Sequence, residues 1–140
     1  MTKQGIAMVL ACAIFSLTSC QTTSKHQFSD PAPSWKSKSG QILYAGPKRR
    51  LIGEVLVRYS GESEFQLTVT KGPVTLLTLR QDANFAQLDG PLSRGGWSGP
   101  VAKAPKKARG WLELRELILR PANKQLVKHK SGEETFLLRF

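Results

Sequence analysis

Few side chains in this chain have the chemistry of a nucleophile, a general base or a metal ligand. The 140 residues include two cysteines and two histidines. His129 stands between two lysines, and no nucleophile-elbow pattern accompanies it. The close carboxylates, Glu62 with Glu64 and Glu133 with Glu134, fall in or beside predicted turns, where solvated charge is the ordinary explanation. We therefore expect no catalytic residue, metal site or bound cofactor. A small hydrolase would instead need an ordered cleft around His129.

The thiol of Cys20 is the reactive group whose surroundings indicate a specific modification. Lys3 gives a short positive segment, and residues 6–15 form an uncharged apolar run. This run is too short for a bilayer span, which takes roughly 20 residues. Small residues and then Cys20 follow. This order is typical of a secretory signal peptide, so residues 1–19 are predicted to direct export and to be removed.

The tetrad Leu17-Thr18-Ser19-Cys20 resembles the lipobox of bacterial lipoproteins. The resemblance implies a diacylglycerol on the Cys20 thiol, cleavage before this residue, and acylation of the new amino terminus. An aspartate after the cysteine retains lipoproteins in the inner membrane of enteric bacteria, whereas here the residue is Gln21. The resemblance thus implies an outer-membrane anchor with the protein facing the periplasm. An ordinary signal peptide followed by an unrelated cysteine is the alternative.

The charge balance favours an anionic partner. The chain has 21 Lys+Arg against 10 Asp+Glu, a net charge of +11. Export away from the cytoplasm argues against nucleic acid and leaves anionic lipid or acidic polysaccharide of the envelope. Basic residues cluster in two segments of the sequence, at residues 48–50 and 103–109. The expected anion-binding residues are Lys48, Arg49, Arg50, Lys103, Lys106, Lys107 and Arg109.

The residues after Cys20 divide into a tether and one domain. Residues 20–40 are rich in Ser, Thr, Pro and Lys without apolar periodicity, so a flexible tether with a solvated His26 is predicted. Residues 41–140 are predicted to form the domain. Residues 90–110 hold glycine, proline and basic residues and are predicted to be a long loop, in which Leu92 and Trp97 are candidate contact residues.

Period-two alternation predicts most of the domain to be antiparallel sheet. Residues 111–120 favour a helix that starts near Ala108, because Lys107 would fall on its apolar face, and that ends at Pro121. A strand is the alternative, since Leu112, Leu114 and Ile118 also alternate. The predicted fold is α+β, a curved, half-barrel-like antiparallel sheet packed on one main helix. The six predicted strands cover residues 51–59, 64–71, 74–80, 85–88, 125–130 and 135–140.

Residues 52–90 resemble the strands of LolA/LolB-like envelope proteins, through the segments IGEVLVRYSGESEFQLTV and LLTLRQDANFAQLDGPLSRG. The resemblance implies a non-enzymatic half-barrel that binds acyl chains or lipoproteins during envelope assembly. With one helix evident, the hollow of such a half-barrel is either open or filled by Trp111 and its neighbours. The alternative function is a scaffold that docks a protein or an anionic polysaccharide through the basic loop.

Overall fold

Eight antiparallel strands form one open sheet in the computed structural model, which describes residues 26–61, 64–120 and 125–140. The predicted signal peptide and Cys20 lie outside these residues. The sheet order is β6-β5-β4-β3-β2-β1-β8-β7. The strands are β1 (Lys36–Ala45), β2 (Arg50–Ser60), β3 (Glu64–Lys71), β4 (Val74–Gln81), β5 (Phe85–Asp89), β6 (Trp97–Pro100), β7 (Leu126–Ser131) and β8 (Glu134–Arg139). The helix α1 spans Lys106–Leu119, and short 3-10 helices span Pro91–Ser93 and Val101–Lys103.

The α+β class with an antiparallel sheet and one helix is confirmed, but the strands number eight instead of six. The central meander follows from the alternation of side chains. In β3, Phe65, Leu67 and Val69 are buried, while the residues between them are half-buried and polar. A sheet with one face against the core and one face toward solvent requires this pattern.

The two strands missing from the sequence prediction are β1 and β6. The first begins at Lys36, so residues 36–40 of the predicted tether are strand. Ile42 and Tyr44 are its only buried side chains, which gives little periodic signal. The second contains Gly99 and Pro100 and lies at the sheet edge, where a proline costs no ladder hydrogen bond. Pairing with neighbours explains both strands, whereas their own composition does not.

The helix covers the concave face of the sheet. Its buried residues include Ala108, Trp111, Leu114 and Ile118, at the spacing of one helical face. It begins at Lys106, so the predicted start near Ala108 was late and Lys107 is helical. The Lys107 Nζ avoids the apolar core because it donates to the carbonyl oxygens of Arg94 (3.1 Å) and Gly96 (3.0 Å).

Trp111 fills the space between helix and sheet. Its indole is 0% exposed and lies 5.1 Å from the Tyr44 ring and 4.8 Å from the Phe136 ring, centroid to centroid. Tyr44 and Phe136 come from the adjacent strands β1 and β8. Of the two possibilities left by the sequence, the filled hollow is the one that the described residues adopt.

Gly110 lets α1 approach β7 and β8 closely. A Cβ built there would lie 2.9 Å from Phe136 Cε2 and 3.1 Å from Ser131 Cβ. Alanine normally gains up to about 1 kcal/mol over glycine inside a helix. The added methyl group would overpack against the Phe136 ring, which Trp111 holds in place. Overpacking of a core lowers the free energy of unfolding by about 1–3 kcal/mol.

We therefore expect Gly110→Ala to lower the free energy of unfolding by about 1 kcal/mol, measured by urea denaturation. The exposed helical residue Glu116 provides the control, since Glu116→Ala should leave stability nearly unchanged. A more stable Gly110→Ala protein would show that the helix does not pack this closely.

Within residues 26–35, the described part of the chain before β1, His26 folds back onto the sheet, in contrast to the predicted free tether. His26 Nε2 lies 2.6 Å from Asp82 Oδ2, and its ring stacks on Phe85 at 4.5 Å. The Phe28 ring meets His26 edge-on at 4.7 Å. The predicted solvated histidine is thus part of a small aromatic cluster at the β4–β5 turn.

Asp82 holds both this turn and the His26 segment. Burial raises the pKa of its carboxyl, but hydrogen bonds from the backbone N–H groups of Asn84 and Phe85, together with His26, outweigh burial and lower the pKa below its ordinary value. The carboxylate therefore stabilises the fold above the unfolded-state pKa of about 3.9, and this contribution is lost as the pH falls through the folded-state value.

Asp82→Ala should lower the free energy of unfolding by about 1 kcal/mol at pH 7 and reduce the loss of stability below pH 4. Urea denaturation across this pH range measures both effects. Asp30→Ala, at a side chain that is 91% exposed, removes the same charge and should change neither. Equal acid sensitivity of the Asp82→Ala and unmodified proteins would contradict the assignment.

Candidate functional site

A basic cleft lies where four chain segments meet at one end of the sheet. Antiparallel pairing places the β1–β2 and β7–β8 turns at this end, since Ala45 is opposite Arg50 and Thr135. The 3-10 helix Pro91–Ser93 and the start of α1 complete it. The cleft has a volume of about 620 Å³. Its lining residues are Pro47, Arg94, Lys106, Lys107, Arg109, Ser131, Gly132, Glu133 and Glu134.

A second hollow of about 280 Å³ adjoins the cleft through Arg94, which lines both. Its lining residues are Tyr44, Lys48, Arg49, Pro91, Leu92 and Arg94. Six basic side chains and two acidic ones therefore line the two hollows together. Such a concentration of one sign of charge in a concave surface strengthens the local field and attracts anions.

The loop that carries Arg94 is fixed by its own hydrogen bonds. The Ser93 hydroxyl donates to the Gly90 carbonyl (2.6 Å) and accepts from the Gly96 N–H (2.9 Å). Arg94 itself adopts a left-handed backbone conformation, with φ of 54°, the one positive φ at a non-glycine among the described residues. The backbone conformation therefore holds a guanidinium between the two hollows at some conformational cost.

A buried hydrogen bond forms part of the wall between the hollows. The Tyr44 hydroxyl donates to Glu134 Oε2 (2.5 Å), and both residues are buried. Burial raises the pKa of the Tyr44 hydroxyl well above its ordinary value, helped by the hydrogen bond and the negative charge of Glu134; the nearby Arg94 opposes this rise. The hydrogen bond thus places the Tyr44 phenol and the Glu134 carboxyl group between the two hollows.

The amino-terminal end of α1 adds to the positive character of the cleft. Pro105 is the N-cap residue, no side chain caps the helix, and no acidic residue lies in the first turn. Lys106 and Lys107 occupy the positive end of the helix dipole, where acidic residues are normally preferred. Lysines at the positive end of a helix repel the helix dipole, and a bound anion would offset this repulsion. The arrangement is therefore typical of an anion-binding site.

Five of the seven predicted anion-binding residues meet at these hollows. They are Lys48, Arg49, Lys106, Lys107 and Arg109. The other two lie elsewhere. Arg50 is the first residue of β2 and lines a shallow groove on the outer face of the sheet, and Lys103 ends the 3-10 helix Val101–Lys103 away from the cleft lining. The β-strand alternation turns Arg50 to the face opposite the cleft.

The predicted loop contacts, Leu92 and Trp97, do not project from the domain. Leu92 is 7% exposed and joins the core. Trp97 is partly buried against the core and starts β6, where it pairs with Leu88. Leu92 also lines the second hollow, whereas Trp97 lines neither hollow.

Arg94 lines both hollows, although the predicted set of anion-binding residues does not include it. Gly90, Gly95 and Gly96 all have positive φ, which marks a tightly wound loop with one arginine at its tip. A lone cation in such a glycine-rich turn is the signal that identifies this position.

His129 is not the exposed strand-end residue that the sequence indicated. Its side chain is 19% exposed, its Nε2 lies 2.5 Å from Glu113 Oε2, and its ring stacks on Phe136. The contact joins α1 to β7 across the concave face. His129 therefore stabilises the position of the helix that carries Lys106 and Lys107.

Two further features bear on the predicted chemistry. Among the described residues, no three His, Cys, Asp or Glu side chains group together in the way that a metal ion needs. In the same part of the chain, no helix combines the length and apolar character of a membrane span.

Compared with known proteins, the chain matches no protein-family model, and no curated protein gives a significant match. The basic cleft and the filled concave face are therefore the observations from which a function is argued.

Proposed function

We propose that this protein is a non-enzymatic envelope lipoprotein, anchored in the outer membrane through acylated Cys20, whose domain docks an anionic polysaccharide in the basic cleft. The observation that carries the proposal is the convergence of six basic side chains from three separate segments on two adjoining hollows. Net charge alone would scatter these residues over the surface. Their convergence supports a binding site instead.

The shape of the site favours an extended ligand over a single small ion. The two hollows share Arg94, so a chain with regularly spaced acidic groups can occupy both at once. Arginine binds carboxylate or phosphate oxygens with two parallel hydrogen bonds, which fixes the orientation of each group. The lysines at the margin, Lys48 and Lys106, add positive charge, and their ammonium groups do not require the fixed hydrogen-bond geometry of arginine. An acidic saccharide polymer fits both requirements.

The packing of the concave face disfavours the alternative of acyl-chain binding. An acyl chain in a half-barrel needs an apolar hollow, and Trp111 with Tyr44 and Phe136 fills that space. Entry of a lipid chain would require α1 to leave the sheet and break the Glu113–His129 contact. The cleft of about 620 Å³ is instead lined mainly by charged residues.

The anchor is tested on native membranes separated by density. Mass spectrometry of the amino-terminal peptide should show Cys20 with thioether-linked diacylglycerol and an acylated amino group, in the outer-membrane fraction. Cys20→Ser should abolish both the modification and the removal of residues 1–19. An unmodified Cys20 thiol in a soluble fraction would contradict the anchor.

The binding function is tested with two probes on the purified protein in mild detergent. A labelled acidic oligosaccharide, an oligogalacturonate, should bind with an affinity that falls as salt rises. A fluorescent fatty acid should not compete with it. Saturable fatty-acid binding without oligogalacturonate binding would favour the half-barrel alternative and contradict the proposal.

A further inference from the structure

A second surface, separate from the cleft, lies on the outer face of strands β2, β1, β8 and β7. Strand register aligns Ile52 with Leu43 and Leu43 with Leu137. Ile52 is 64% exposed and Leu43 is 37% exposed. Three large apolar side chains therefore form a continuous row across three strands, on the side that faces away from α1.

Basic residues border this apolar row. On one side, the next row of paired residues runs across the four strands, with Arg50 on β2 at one end and Lys130 on β7 at the other. Lys128 on β7 pairs with Leu137 and so extends the apolar row by one strand. On the other side, Arg139 lies next to Leu126, which is 40% exposed. The residues of this outer patch are Ile52, Leu43, Leu137, Ala45, Leu126, Arg50, Lys128, Lys130, Arg139 and the single acid Glu54.

A shallow groove of about 290 Å³ runs along the patch, lined by Leu43, Ala45 and Leu137 with Arg50 and Lys128 at its margin. Soluble domains normally avoid a contiguous apolar surface of this kind. Apolar side chains surrounded by lysine and arginine are the composition of surfaces that lie at the boundary between lipid headgroups and acyl chains.

We propose that this outer patch rests on an anionic phospholipid bilayer, with Ile52, Leu43 and Leu137 entering the interfacial region and Arg50, Lys128, Lys130 and Arg139 contacting headgroup phosphates. The proposal rests on the proposed lipid anchor, which places the domain beside such a surface. Four basic groups against Glu54 give the patch the charge complementarity that an anionic bilayer requires.

A short stretch of chain joins the proposed anchor to the fold. Asp82 holds His26 at the β4–β5 turn, and five residues separate His26 from Cys20. The six residue steps from Cys20 to His26 span at most about 20 Å when extended. The anchor therefore keeps the β4–β5 turn within about 20 Å of the bilayer, which places the domain beside the surface that the outer patch would contact.

The test uses the mature lipidated protein in vesicles of phosphatidylglycerol and phosphatidylethanolamine, and in phosphatidylcholine vesicles. Ile52→Cys and Glu116→Cys are labelled with an environment-sensitive fluorophore; Glu116 is exposed on the helix, on the opposite side of the domain. The Ile52 label should shift to the blue and resist iodide quenching in the anionic vesicles. The Glu116 label should remain accessible in both.

Charge removal provides the second measurement. Neutralising Lys128 and Arg139 to glutamine should weaken the shielding of the Ile52 label roughly fivefold for each residue, since each basic group near an anionic surface contributes about 1 kcal/mol. The double variant should leave oligogalacturonate binding unchanged, because neither residue lines the cleft.

Two results would overturn the inference. An Ile52 label that stays as accessible as the Glu116 label, on protein still attached to vesicles, rejects the outer patch and leaves the anchor intact. A shielded Ile52 label that depends on protein concentration and not on lipid charge assigns the patch to a second copy of this chain. Protein that does not remain with the vesicles at all contradicts the anchor itself.

Discussion

Replacing Trp111 with alanine is expected to lower the free energy of unfolding by about 3–5 kcal/mol. The indole is fully buried and contacts rings from two neighbouring strands, Tyr44 and Phe136, so its removal takes away a large apolar area and leaves a cavity between helix and sheet. A loss of this size is a large share of the stability of a small domain. The core around α1 thus depends on this one side chain.

Urea denaturation followed by far-ultraviolet circular dichroism measures this effect without relying on tryptophan emission. Trp97→Ala is the matched control, because Trp97 is only partly buried at the edge strand and should cost clearly less. A loss below about 1 kcal/mol for Trp111→Ala would mean that the concave face is not tightly filled. That result would revive the acyl-binding alternative.

Removing three basic residues from the cleft margin should weaken oligogalacturonate binding about 30- to 100-fold. Lys48→Ala, Arg49→Ala and Lys106→Ala each remove an exposed charge. Exposed ion pairs contribute up to about 1 kcal/mol each, and 1.4 kcal/mol corresponds to a factor of ten. The three substitutions avoid Lys107 and Arg94, whose contacts hold the loop and the helix together.

Fluorescence anisotropy titrations at several salt concentrations measure the affinity. The control variant removes the same charge away from the cleft, at the exposed residues Arg58, Lys103 and Arg120. The cleft variant should lose affinity and salt dependence, while the control should lose little of either. Equal losses in both variants would show that binding follows net charge and not the cleft.

The meander and the terminal hairpin were predictable because each strand buries every second residue. In β3, Phe65, Leu67 and Val69 alternate with polar residues, and β2 follows the same period on its buried side through Val55 and Val57. Alternation of apolar and polar residues indicates a half-buried strand, and it can be recognised without knowing the neighbouring elements. The helix was less clear, because Trp111 and Ile118 lie on one helical face but Leu112, Leu114 and Ile118 also fit a strand period.

The missed elements are those whose structure depends on partners far away in the chain. Residues 36–40 at the start of β1 carry no apolar pattern, and they are strand because they pair with β2. Lys107 was excluded from the helix on the assumption that its amine would be buried. The carbonyl oxygens of Arg94 and Gly96 accept hydrogen bonds from the Lys107 amine. Neither acceptor could be inferred from the sequence pattern of the helix itself.

The candidate site was partly predictable for the same reason. Basic residues were assigned to one surface by proximity in sequence, which groups Lys48 with Arg49 correctly. Proximity cannot state which side of a strand a residue occupies, so it also included Arg50, which lies on the outer face. Arg94 was missed because its importance comes from the left-handed loop that places it between two hollows.

The pairing of β1 with β8 has a consequence for how the molecule is made. Tyr44 and Glu134 are bonded across 90 residues of sequence, and β1 lies in the interior of the sheet between β2 and β8. Strand β1 therefore has β2 as an early neighbour but lacks its second neighbour until β8 has been synthesised, and contacts so distant in sequence form slowly. Completion of the sheet around β1 thus follows synthesis of the β7–β8 hairpin.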